Sequence, residues 1–208
     1  MSATARPDRA SGTLETPQRW GGRGAIVWIA IVAFAWWDAF HRAYTGMDGS
    51  ANERALMVSA TAAVATKLGG HALEATAYAG WWRLRGAALP WLTLFLWIVT
   101  YSMLDVFALW MMHASAPPLS NAVLVAILAG PAALRDRLPG VSLGLWTAFG
   151  ASGAFALLRI VATTDRQRRM TGRGWREPVA LTLALWLATR LIQWWGVDLL
   201  RGRSVPPM

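Results

Sequence analysis

The chain has 208 residues, of which 55% are hydrophobic and 15% charged, and it carries a formal net charge of +9. It contains no cysteine, which excludes a disulfide framework, a cysteine-ligated metal site and thiol chemistry. A composition this apolar is not that of a disordered chain, and its long apolar segments indicate a helical membrane protein. The basic residues do not cluster on a soluble domain, so no nucleic-acid partner is expected.

Five apolar segments are long enough, or nearly long enough, to cross a bilayer as helices. They are residues 25–40, 55–70, 87–112, 141–163 and 178–195. A further segment, residues 121–134, is broken by Gly130 and Pro131 and is either re-entrant, interfacial or a sixth span. The predicted fold class is therefore an all-α, polytopic bundle of transmembrane helices with five spans, six being possible.

The chain divides into three parts. We predict a disordered cytoplasmic tail for residues 1–23, a transmembrane helical domain for residues 24–196 and a short polar tail for residues 197–208. With five spans, twelve Lys and Arg side chains lie on the side of the N-terminus and six on the other side, which places the N-terminus in the cytoplasm. Arginine outnumbers lysine nineteen to one, which favours a GC-rich bacterial genome and hence the bacterial inner membrane.

The second span is predicted to end at Gly69 and Gly70, and residues 71–85 to continue as an amphipathic helix at the membrane interface. Polar side chains near this helix form a possible site for a lipid headgroup. The alternative is a surface network in which these side chains satisfy one another. They are Lys67, His71, Glu74, Arg83 and Arg85.

Fourteen tryptophans are spread over the chain, and ten of them fall at or near predicted span ends. Such an aromatic belt anchors helices at the two membrane surfaces. The ten are Trp20, Trp36, Trp37, Trp81, Trp82, Trp91, Trp110, Trp175, Trp194 and Trp195. The other four, Trp28, Trp97, Trp146 and Trp186, lie deeper and are expected to pack inside the bundle or to face lipid, a pigment or another subunit.

Asp105 is the most informative residue, because a charge at membrane depth is costly and usually has a partner or a water-filled cavity. Arg190, in the last span, lies at a similar predicted depth, so we expect an intramembrane ion pair between the two. The alternative is that Arg190 extends outward and Asp105 is partly hydrated. Trp97 and Tyr101 lie near Asp105 on the same helix, where they either line a cavity or belong to a packing face.

The sequence contains no catalytic or metal-binding constellation. Its three histidines, His41, His71 and His113, fall in separate segments, and no zinc-binding motif, carboxylate cluster or nucleotide-binding loop occurs. We therefore predict no catalytic residue and no metal site, and no motif indicates a cofactor.

Residues 150–153, with the sequence GASG, resemble the serine motif of the rhomboid intramembrane proteases. In that family the serine requires a histidine from a later helix, and no histidine follows His113. One interpretation is a degenerate relative without proteolytic activity. The other is helix packing, in which small residues let a neighbouring helix approach closely. The residues concerned are Gly144, Gly150, Ser152 and Gly153.

A broader resemblance, over residues 55–195, is to bacterial members of the YIP-domain family of membrane proteins, named for a Ypt-interacting protein. The residues that carry it are Gly69, Gly70, Pro90, Leu143 and Trp146. The resemblance implies a multi-pass helical architecture. Eukaryotic members help membrane traffic and bind small GTPases, whereas bacterial members mostly have no defined activity.

These observations predict a non-catalytic, multi-pass protein that acts as an accessory, scaffold or assembly subunit of a membrane complex. One version of this prediction is an auxiliary subunit of a respiratory or photosynthetic complex. Its expected partners are the lipid bilayer and other membrane protein subunits. Two alternatives stay open. One is a small transporter, or the membrane subunit of one, that uses Asp105 and Arg190, and the other is a degenerate rhomboid-like protein.

Overall fold

A computed structural model describes residues 22–47, 52–113, 119–131, 133–134, 145, 149 and 152–202. All regular structure within these ranges is helical and no strand occurs there, so the predicted all-α class is confirmed. The helices are α1 Gly22–Met47, α2 Glu53–Leu84, α3 Trp91–Tyr101, α4 Met103–His113, α5 Leu119–Leu128, α6 Ala154–Thr171 and α7 Arg176–Gly202.

Two helical segments of the described chain are long and apolar enough to cross a membrane: Gly22–Ala43 and Trp91–Met112. They correspond to the first and third predicted spans. The second of these segments contains both α3 and α4, which are separated by Ser102 alone. The backbone N–H of Ser102 still donates to the Ile98 carbonyl at 2.9 Å, so the two short helices continue one another.

The predicted interruption of α2 at Gly69 and Gly70 is wrong. α2 runs unbroken for 32 residues, because a glycine inside a helix costs only about 1 kcal/mol relative to alanine and α2 packs along both α1 and α3. Residues 71–84 are therefore the second half of a packed helix and not a separate interfacial helix. This continuity places His71 and Tyr78 in the interior, with Glu74 largely buried beside them.

α6 also differs from the predicted fourth span. It begins at Ala154, after the N-cap residue Gly153, and extends to Thr171, so residues 164–171, which follow the predicted span, are helical as well. The helix ends where Gly172 adopts a left-handed conformation with φ of 67°. Most of residues 141–151 lies outside the described residues, as do Leu143 and Trp146. α7 extends to Gly202, beyond the predicted start of the polar tail.

α1 packs against α2 and α4, and α6 packs against α3, α4 and α7. Two of the tryptophans predicted to lie in the interfacial belt, Trp36 and Trp82, are instead 2% and 0% exposed. Each lies on a helix face that meets other helices, and its indole N–H donates to a buried partner: Trp36 to Ser102 at 3.0 Å, and Trp82 to Gln167 at 2.8 Å.

The C-terminal end of α2 lies beside the start of α7. The Arg85 guanidinium forms an ion pair with Glu177 at 2.9 Å, and Arg173, in the α6–α7 connection, donates to both the Glu177 carboxylate and the Arg85 carbonyl. These contacts bring the basic residues of the α2–α3 and α6–α7 connections to one end of the bundle.

Candidate functional site

Charged side chains from three helices meet inside the bundle. α2 contributes Lys67 and Glu74, which are seven positions, or about two turns, apart and therefore lie on one face of that helix. α4 contributes Asp105, and α6, which packs against α4, contributes Arg159. We call these four residues the charge network.

Arg159 bridges the two carboxylates of the charge network. Its Nη1 donates to Asp105 Oδ2 at 2.6 Å and its Nη2 donates to Glu74 Oε2 at 2.8 Å. Lys67 Nζ lies 3.5 Å from the same Asp105 oxygen. Two positive and two negative charges are thus brought together. Such pairing offsets the desolvation cost that any one of them would carry alone in an apolar interior.

Neighbouring side chains complete the surroundings of the network. The Lys67 ammonium lies 4.6 Å from the centroid of the Trp36 ring, a cation–π contact with α1. The Tyr78 hydroxyl donates to Glu74 Oε1 at 3.4 Å. His71 Nδ1 lies 3.7 Å from Glu74 Oε2, and its Nε2 is buried without a hydrogen-bond partner among the described residues. The network therefore links α1, α2, α4 and α6.

The expected ion pair between Asp105 and Arg190 is not formed in the structure. Asp105 pairs with Arg159 and Lys67, because α4 packs against α6, which carries Arg159. Arg190 donates to Gln193 on its own helix at 3.2 Å, and its guanidinium carbon lies 5.5 Å from the centroid of the Trp186 ring.

A second buried polar chain lies closer to the end of the bundle where α2 meets α7. Trp82 on α2 donates to Gln167 Oε1 on α6, and Gln167 Nε2 donates to Thr182 Oγ1 on α7 at 3.0 Å. All three side chains are buried. Because a buried polar group without a partner costs free energy, the three helices must keep this register for every group to be satisfied.

Replacing Gln167 by leucine is expected to lower the free energy of unfolding by about 2 kcal/mol, because the buried Trp82 indole N–H then has no acceptor and the buried Thr182 hydroxyl loses the donor it accepts from. Thermal unfolding in mild detergent, followed by tryptophan fluorescence, measures the change. Thr189→Ala is the control, because the Thr189 hydroxyl is exposed and donates only to the Leu185 carbonyl of its own helix. A Gln167→Leu protein as stable as this control would show that the chain contributes nothing.

Trp97 and Tyr101, predicted as cavity-lining residues, border a recess between α3 and α6 together with Arg166 and Gln167. Its volume is about 10 Å³, which is room for about one water molecule. Asp105 and Arg190 do not line it. The recess is therefore too small to hold a substrate beside the charge network.

The side chains predicted to bind a lipid headgroup do not all lie together in the structure. Lys67, His71 and Glu74 lie together in or beside the charge network, whereas Arg83 is exposed near the end of α2. Arg85, which follows that end, is paired with Glu177. Arg159 was not predicted as a site residue. Its signal was the one that singled out Asp105, a charge within an apolar segment.

Two of the four residues predicted for helix packing, Ser152 and Gly153, are described, whereas Gly144 and Gly150 lie outside the described residues. Gly153 caps α6, and a Cβ built on it would lie 2.5 Å from the Leu128 carbonyl oxygen. Ser152 precedes this cap and so lies before the helix. Its hydroxyl is buried without a hydrogen-bond partner among the described residues.

The charge network has little capacity for acid–base chemistry. Arginine stays protonated in proteins, and both carboxylates already accept hydrogen bonds from Arg159. In the part of the chain that the structure describes, no three His, Asp or Glu side chains are grouped as metal ligands.

Comparisons with protein-family models, curated proteins and solved structures find no match to this chain.

Proposed function

We propose that the chain is a non-catalytic, five-span protein of the bacterial inner membrane that acts as an accessory, scaffold or assembly subunit of a membrane complex. The observation that carries the proposal is the bridging of Glu74 and Asp105 by Arg159. Buried charges that satisfy one another hold helices in place. A transporter would instead need charges left free to bind a substrate.

α2 and α6 carry charged side chains, which the apolar interior of a membrane disfavours. Because Arg159 of α6 pairs with Glu74 of α2, these charges do not exclude either helix from crossing a membrane. A charge inside a membrane is tolerated when it faces the bundle interior and is paired there. The basic residues brought together at one end of the bundle, such as Arg85 and Arg173, support a cytoplasmic position for that end. α1, α2, α3 with α4, α6 and α7 would then be the five crossings.

Large apolar side chains on the outer faces of the helices support contacts of these helices with lipid or with other subunits. α1, α6 and α7 all expose such side chains, and exposed apolar surface marks membrane or protein contact where it is extensive. They include Ile26, Phe34, Leu157, Leu158, Val161, Ile192 and Trp195. A transporter that uses Asp105 and Arg190 would need both charges free to bind a substrate, whereas Asp105 is paired with Arg159 and Lys67.

The proposal predicts a defined topology and a complex larger than the 22.7 kDa chain. Because the chain has no cysteine, single cysteines placed at exposed positions can report topology by labelling with an impermeant maleimide. In intact spheroplasts we expect Glu53→Cys to be labelled, and Ala88→Cys and Gly174→Cys to be labelled only after lysis. Native electrophoresis of the chain, produced at its natural level and extracted in mild detergent, should show it in a larger complex.

The cysteine-free chain is the labelling control, and lysed cells show that each introduced cysteine can react. Labelling of Ala88→Cys in intact cells would contradict the topology. Migration of the extracted chain as a lone monomer, with no protein present in stoichiometric amount, would contradict the role as a subunit.

A further inference from the structure

The recess between α3 and α6 holds hydrogen-bond donors that lack acceptors. Trp97 and Arg166 both line it, and the indole Nε1–H of the first and the guanidinium Nε–H of the second are buried without partners among the described residues. Gln167 also borders the recess, but its amide is occupied by Trp82 and Thr182. A buried N–H without an acceptor costs free energy, so the recess is suited to a group that accepts from both.

Arg166 also forms no ion pair at contact distance with a carboxylate of the described chain. The adjacent Asp165 accepts from Arg168 at 3.3 Å and from Arg169 at 2.6 Å. The guanidinium carbon of Arg166 instead lies 4.3 Å from the centroid of the Trp97 ring, and this cation–π contact holds it at the recess. The site therefore offers a fixed positive charge together with two buried N–H donors.

The size of the recess selects what can enter. A volume of about 10 Å³ admits roughly one oxygen-sized atom, so an anion would insert a single oxygen and keep the rest of its body outside. N–H donors cannot coordinate a metal cation, whereas they and a guanidinium are the groups that bind phosphate oxygens.

The position of the recess favours a phosphate. Arg166 lies on the last turns of α6, at the basic end of the bundle defined by Arg85 and Arg173. In a membrane protein, basic recesses between helices on the cytoplasmic side face the anionic lipid headgroups of that leaflet.

We propose that the recess formed by Trp97 and Arg166, with Tyr101 at its edge, binds one phosphate group of an anion. The source is either the headgroup of an anionic phospholipid or free phosphate. Binding of a lipid headgroup depends on the proposed membrane location, whereas binding of a phosphate group depends on the recess alone.

Native mass spectrometry of the full-length chain, purified in detergent, tests the site against phosphatidylglycerol, phosphatidylcholine and inorganic phosphate. We expect Arg166→Gln to weaken anion binding about tenfold, because a charged hydrogen-bond donor is lost. Trp97→Phe keeps an aromatic ring beside Arg166 but removes the indole N–H together with the pyrrole part of the ring, and should weaken binding about threefold. Arg168→Gln removes the same charge two positions away, from a guanidinium already paired with Asp165, and should bind as the wild type does.

Retention of phosphatidylglycerol above phosphatidylcholine, lost in Arg166→Gln, supports the site and identifies the lipid source. Binding of inorganic phosphate with the same dependence on Arg166 supports the site and identifies free phosphate. Two results overturn the proposal: no anion bound above the phosphatidylcholine level, or equal losses in Arg166→Gln and Arg168→Gln. Because binding is measured on the purified chain, failure of the proposed role as a subunit would leave this result unchanged.

Discussion

Replacing Arg159 by glutamine is expected to lower the free energy of unfolding by about 3–5 kcal/mol, the usual effect of removing one partner from a buried ion pair. The guanidinium bridges Glu74 and Asp105, and all three side chains are largely buried. Without it, Lys67 still faces Asp105, but Glu74 keeps a buried charge with no cation at hydrogen-bond distance. Thermal unfolding in mild detergent and resistance to a protease measure the loss.

The double variant Glu74→Gln, Arg159→Gln makes this prediction specific. It removes the uncompensated carboxylate and leaves Lys67 with Asp105, so most of the lost stability should return. Arg42→Gln is the matched control, because Arg42 is paired with Asp38 one turn away and its side chain is 67% exposed. An exposed pair of this kind contributes less than about 1 kcal/mol. Equal effects of Arg159→Gln and Arg42→Gln would refute a stabilising role for the charge network.

Replacing Gly153 by alanine is expected to lower the free energy of unfolding by about 3 kcal/mol, because the added methyl group overlaps atoms that cannot move aside. Its Cβ would lie 2.5 Å from the Leu128 oxygen, 2.6 Å from the Gly130 nitrogen and 2.7 Å from the Ala129 carbonyl carbon, all of them backbone atoms. The junction of α5 and α6 would have to separate. Chemical or thermal unfolding in detergent reports the loss.

Gly70→Ala is the control with the opposite expected sign. A Cβ at Gly70, in the middle of α2, meets no atom within 4 Å, and alanine favours the helix by about 0.5–1 kcal/mol relative to glycine. The two substitutions add the same methyl group. A fall in stability for Gly153→Ala would report the close backbone packing there, whereas a rise for Gly70→Ala would report helix propensity. A rise in stability for Gly153→Ala as well would mean that the close approach at Gly153 is not maintained.

The helical class and the apolar segments around α1 and α3–α4 could be predicted from the sequence, because both depend on local composition. Asp105 could also be singled out, since a charge inside an apolar segment is conspicuous without any knowledge of the fold. The partner of Asp105 could not be predicted from the sequence. Counting residues from the predicted helix ends gave Arg190 a matching depth, but pairing depends on which helix packs against α4, and that helix is α6 with Arg159.

The continuity of α2 was missed for a related reason. Gly69 and Gly70 are unfavourable in an isolated helix, and local propensity therefore predicted a break. Packing on both sides of the glycines overrides that preference, with Val64 in one buried cluster and Tyr78 in the other. Trp36 and Trp82 were misplaced in the same way, because sequence position shows nearness to a helix end but not which face of the helix is buried.

The charge network also has a consequence for the order in which the bundle is completed during synthesis. Translation makes Lys67, Glu74 and Asp105 first, a set with one excess negative charge, and Arg159 follows 54 positions after Asp105. Until α6 emerges, α2 and α4 cannot close together without burying an unbalanced carboxylate. The charge network is therefore complete only when Arg159, the last of its four residues to be made, is in place.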